Sequence, residues 1–132
     1  MDSSTIELVG SRILGVAVDG GTVRVRFEPA YIVKSMTGST ERTRWWQNGE
    51  LVLESAEVDG DLPPLPANCL GGDVGENVYT YRDMIPVPLR SRGRVRCDLR
   101  VEGSEAHIRV TGSAIELRMD DVPKYIEHVR GA

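Results

Sequence analysis

Across residues 93–119 apolar and charged positions alternate one for one at the start of the run. Val95, Cys97, Leu99 and Val101 are apolar, and Arg94, Arg96, Asp98 and Arg100 between them are charged. A period of two predicts a strand with one buried and one wet face. After Gly103-Ser104 the alternation resumes with Ala106, Ile108 and Val110. A two-residue turn at Gly103-Ser104 sets Val101 against Ala106, Leu99 against Ile108 and Cys97 against Val110. On the other face the same register pairs Asp98 with Arg109, opposite charges across two strands.

Residues 12–27 repeat the theme. Leu14, Val16 and Val18 alternate inward, Gly20-Gly21 makes the turn, and Val23, Val25 and Phe27 alternate inward again. Upstream, residues 5–9 form a short strand with Ile6 and Leu8 on one face. Downstream of Pro29, residues 30–33 form a third. A shift of 83 positions lays the first hairpin on the second, with Val18 on Val101, Gly20 on Gly103, Arg26 on Arg109 and Ile32 on Ile115. Read as an internal repeat, this gives two related three-stranded meanders packed as halves of one structure.

The pattern weakens between the hairpins. Residues 35–44 are polar and read as a loop. Asn48-Gly49 lies between apolar runs, a strong hairpin signal that pairs Trp45-Trp46 with Leu51, Val52 and Leu53. Residues 59–92 hold Pro63, Pro64, Pro66, Pro86 and Pro88 with Gly71, Gly72 and Gly75. Proline excludes central strands, so this reads as a long irregular segment with one short strand at 77–81. Its many apolar residues imply that it folds over an open end or face of the sheet. The tail, 120–130, reads as a short helix with Asp121 as N-cap, Pro123 in the first turn and Val122, Ile126 and Val129 at helical spacing. The expected fold is one all-β domain over 1–132. It is an antiparallel β-barrel or β-sandwich of six to eight strands with one short C-terminal helix.

A chain of 132 residues buries enough surface to fold without staples. Acidic residues outnumber basic ones by 20 to 16, for a net charge of −4, which argues against a nucleic-acid partner. No basic region precedes a long apolar run. The expectation is therefore a cytoplasmic protein with no membrane partner. Cys69 and Cys97 are the only cysteines; two make no disulfide framework, and their spacing leaves open whether they are bonded.

Candidate chemistry is sparse. His107 and His128 are the only histidines, too few for a multi-histidine metal cluster. There is no P-loop, no glycine-rich dinucleotide fingerprint and no nucleophile elbow. No catalytic residue, metal or cofactor is assigned, and the reading leans away from an enzyme. The candidate binding residues are Trp45, Trp46, Tyr79 and Tyr81, as exposed aromatics beside the proline-rich segment. To these are added Arg94, Arg96 and Arg100, as a basic strip. The leading expectation is a non-enzymatic protein-interaction module with a protein partner or self-association as a homodimer. The alternative is a small-molecule binder or enzyme with a pocket at the barrel mouth under 59–92.

Overall fold

The computed structural model describes residues 3–129. Eleven strands form one sheet, more than the six to eight expected, because short strands are added outside the barrel. In chain order they are β1 (Ser3–Glu7), β2 (Arg12–Asp19), β3 (Thr22–Ser35), β4 (Arg42–Glu54), β5 (Glu57–Asp59) and β6 (Ala67–Glu76), then β7 (Tyr79–Arg82), β8 (Met84–Val87), β9 (Arg90–Val101), β10 (His107–Met119) and β11 (Lys124–Val129). All pairings are antiparallel. Six strands close a barrel in the ring order β2-β3-β4-β10-β9-β6, and β6 returns to β2. The long ends of β3 and β4 run beyond the ring and carry β1, β8 and β11.

Both expected hairpins form, and the Gly20-Gly21 turn closes the first. Val18 pairs with Val23 and Asp19 with Thr22 around Gly20-Gly21. In the second hairpin Leu99 pairs with Ile108, Cys97 with Val110 and Asp98 with Arg109. That ladder stops at Arg100 and His107, so the connection is longer than a two-residue turn. Val23, Val25, Phe27, Val95, Cys97, Leu99, Ile108 and Val110 all lie in the core that fills the barrel. The two hairpins flank β4 from opposite sides, through β3 and through β10. A rotation about the barrel axis therefore does not carry one onto the other.

Four further expectations are corrected. In β2 the register shifts between Ile13 and Gly15. Ile13 fills the core in place of Leu14, which is exposed. A bulge inserts one residue into the period, and only the pairing reveals where.

Asn48-Gly49 is not a turn. β4 runs straight through it, because Gly49 is paired on both sides, with Phe27 of β3 and Met119 of β10. A residue held between two neighbours cannot reverse the chain. Leu51 and Leu53 face the core, and Val52 is buried on the other side.

Residues 59–92 are mostly regular. They supply β6, β7 and β8 and the start of β9, and β6 is a barrel strand. Its glycines permit this. Gly72 (φ 149°) passes so close to Asp98 that a β-carbon would overlap the Asp98 carbonyl, which explains glycine in a strand here. The prolines keep clear of the ring: Pro63, Pro64 and Pro66 lie in the 60–66 connection, and Pro86 is in β8, outside the barrel.

The C-terminal helix is absent; residues 124–129 are β11, paired with β4. Asp121 has φ 51°, not the geometry of an N-cap. Gln47 donates through Nε2 to the carbonyls of Asp120 (2.8 Å) and Asp121 (3.2 Å), and the Asp120 N–H bonds the Asn48 carbonyl. These bonds aim the tail along the open edge of β4, whose backbone groups would otherwise lack partners. Arg130, the last residue of the expected helix, lies outside the described residues. Among the described residues no helix is long and apolar enough to cross a membrane.

Candidate binding site

Two strand irregularities shape a cleft of about 840 Å³ on the face of the β3–β4 extension. Between Phe27 and Ala30 the β3 register shifts against β4, so that Glu28 and Pro29 oppose Asn48 alone. Between Tyr125 and Glu127 the β11 register shifts against β4. Bulges re-aim side chains. Here they bring Glu28 and Pro29 to one wall and Ile126 and Glu127 to the other.

The floor is an aromatic pair, Tyr31 and Trp46, direct partners across β3 and β4. Lys124 Nζ sits 4.4 Å from the Trp46 ring centre, within cation–π range. The Arg44 guanidinium is 5.6 Å from the Tyr31 ring centre and is ion-paired with Glu7. That hydrogen bond raises the Arg44 pKa against the opposing effect of burial. Tyr31 is fixed by Ser11, a fully buried hydroxyl. Ser11 Oγ accepts the Tyr31 N–H at 3.0 Å and donates to the Glu7 carbonyl at 2.5 Å. This staple holds the β1–β2 turn, with Gly10 and Arg12, against the floor.

The charges in the cleft are unequal in their partners. Glu28 is ion-paired with Arg26, and Arg26 also holds Asp120. Arg12 donates to the Glu28 carbonyl at 3.3 Å but has no carboxylate partner among the described residues. A guanidinium beside an aromatic floor can hold a carboxylate and stack an apolar ring at once. Nothing in the sequence periodicity marks Arg12, Tyr31 or Pro29, because the cleft depends on bulges in two strands distant in sequence.

The predicted site residues divide. Trp46 is in the cleft. Trp45 points to the opposite face, packing on the core with Tyr125 at 5.3 Å between ring centres and Lys34 Nζ 4.4 Å above it. Tyr79 and Tyr81 are on β7 and take no part in the cleft's lining. Tyr79 is exposed, whereas Tyr81 packs against the core and bonds Glu76. Burial, reinforced by the charge of Glu76, raises the Tyr81 pKa.

Arg94, Arg96 and Arg100 are on β9 and form no continuous strip. A bulge at 93–94 breaks the alternation. Arg96 crosses Gly75 to donate to Thr80 Oγ1, and Arg100 reaches over Gly71 beside Asp83. The row between them is ionic, running Asp59, Arg109, Asp98, Asp73 and Arg82 across five strands. Asp98 holds His107 Nδ1 at 2.6 Å and Arg109 Nε at 3.2 Å. Partial desolvation pushes its carboxyl up, but those hydrogen bonds outweigh it and hold the group below the usual carboxylate range. His128 pairs with Glu41 at 3.0 Å. Among the described residues no group of three acidic, cysteine or histidine side chains could hold a metal ion.

Comparison with protein-family models, with curated proteins and with solved structures finds no match to this chain.

Proposed function

We propose that this chain is a non-enzymatic interaction module that binds a segment of a protein partner in the Tyr31–Trp46 cleft. The observation that carries the reading is Arg12, a guanidinium without a carboxylate partner among the described residues, at the wall of an aromatic-floored cleft. Its complement is an extended segment bearing an aromatic or large apolar side chain next to a carboxylate. The position of the cleft supports a polypeptide. It crosses the outside of four strands, β2, β3, β4 and β11, whereas the barrel interior is filled by core side chains. Aromatic and arginine anchors are the groups that dominate protein interfaces.

The test is selection of displayed random twelve-residue peptides on the purified protein, with Arg12→Glu and Trp46→Ala as counter-targets. Peptides carrying an acid next to an aromatic residue should be enriched on the wild type and lost on both variants. Enrichment that is equal on all three proteins would refute the reading.

A second reading keeps one observation on its side: about 840 Å³ is within the size range of small-molecule sites. It takes the same cleft as a site for an aromatic carboxylate. Titration with indole-3-acetate, followed by amide shifts at Arg12, Tyr31 and Trp46, separates the two. Saturable shifts at those residues, with no peptide enriched on the wild type, favour this reading over the first.

A further inference from the structure

A closed barrel removes edges only where its ladder is complete. β6 pairs with β2 at Arg12 and Ile13 alone. From residue 14 to residue 19 the outer edge of β2 has no ladder partner among the described residues.

The other free edges of the sheet are blunted in ways that discourage strand addition. β8 is four residues long and contains Pro86, with Pro88 just beyond. β7 is also four residues long, and β5 is three and bears Glu57 and Asp59. β11 is bulged and bears Lys124, Glu127 and His128. The free half of β2 has no such feature. It reads Leu14, Gly15, Val16, Ala17, Val18 and Asp19, with no proline and one charge at its end. Leu14 is 41% exposed and Val18 57%. Val16 and Val18 are partners of Val25 and Val23 in β3, so they share the face of the core yet extend past its cover.

We propose that this edge pairs antiparallel with the same edge of a second copy, about a two-fold axis at Ala17. The register is self-matching. Val16 of each copy lies opposite Val18 of the other, Ala17 lies opposite Ala17, and Gly15 lies opposite Asp19. Four valines then form one apolar cluster at the barrel seam, and Gly15, Ala17 and Asp19 occupy the other face. Self-pairing of one edge is the isologous contact that a two-fold dimer requires. The hairpin tip leaves room for it, since nothing lies within 4 Å of a β-carbon built on Gly20. This proposal uses no residue of the aromatic floor and stands apart from the cleft reading.

The test is sedimentation equilibrium from 1 to about 300 µM on the intact chain, with Val18→Glu and Ala17→Cys variants. The wild type should shift from monomer to dimer with concentration, and Val18→Glu should remain monomeric with an unchanged thermal melt. Ala17→Cys should form a disulfide-linked dimer on mild oxidation, since directly opposed side chains are within bridging reach; Val78→Cys, at an exposed turn, should not. A wild type that is monomeric at 300 µM would overturn the proposal. So would a dimer that neither Val18→Glu weakens nor Ala17→Cys captures. Should Val18→Glu fail to fold, the cross-link decides alone.

Discussion

Asn77 takes the place of a strand residue beside Gly93. Its Oδ1 accepts the Arg94 N–H at 3.2 Å, its Nδ2 donates to the Arg92 carbonyl at 3.0 Å, and its own N–H bonds the Arg94 carbonyl at 2.7 Å. Asn77 has φ 52° and Gly93 has φ 124°. A β-carbon on Gly93 would overlap Asn77 Oδ1.

Gly93→Ala should therefore destabilise the fold by about 1–3 kcal/mol, the usual cost of forcing a side chain into strained backbone, read as a lower midpoint in urea. Asn77→Ala should cost about 1 kcal/mol for its lost hydrogen bonds. The double variant should cost less than the sum, because removing the Asn77 side chain also removes the overlap.

Insertion separates a strand from a turn. Two glycines inserted after Gly103, where φ is 83° and nothing lies within 4 Å of an added β-carbon, should shift stability by less than about 1 kcal/mol. The same insertion after Asn48 should abolish the cooperative melt, because it displaces the ladder of β4 with both β3 and β10. Gly49→Ala should also destabilise, since its β-carbon would meet the Met119 side chain and the Arg118 carbonyl. Equal tolerance at the two insertion points would contradict the observed path of β4.

Asp98 makes stability depend on acid. Its carboxyl is held below the usual range in the fold, so the folded state binds that proton less readily than the unfolded chain. The contribution is present above about pH 4 and declines as pH falls through the lowered folded value. Asp98→Asn should flatten that part of the stability–pH curve while lowering stability at neutral pH. The effect should be modest because the side chain is partly exposed.

The two cysteines should be silent in the native state. Both are free and buried. Burial pushes the Cys97 thiol up to about 12 and raises that of Cys69 as well, leaving little of the reactive thiolate at neutral pH. Iodoacetamide should label neither at a measurable rate until urea reaches the unfolding transition, and mass spectrometry should then find two labels per chain. Rapid labelling of Cys97 below the transition would contradict its placement.

Sequence alone determined the local hairpins. The pairs Leu99–Ile108, Cys97–Val110 and Asp98–Arg109 follow from a period of two meeting itself across a short connection. Gly20-Gly21 sets Val18 against Val23 in the same way. Such pairings need no information from the rest of the chain. Only the tertiary structure decided the course of Asn48-Gly49, of the glycine-rich β6 and of the tail that became β11. In each, the local signal lost to a partner far away in sequence: Phe27 and Met119 for Gly49, Leu99 for Gly72, and the edge of β4 for residues 124–129. The cleft belongs to the same class. It exists because β3 and β11 are each out of step with β4, and a bulge is a property of two paired strands rather than of either one.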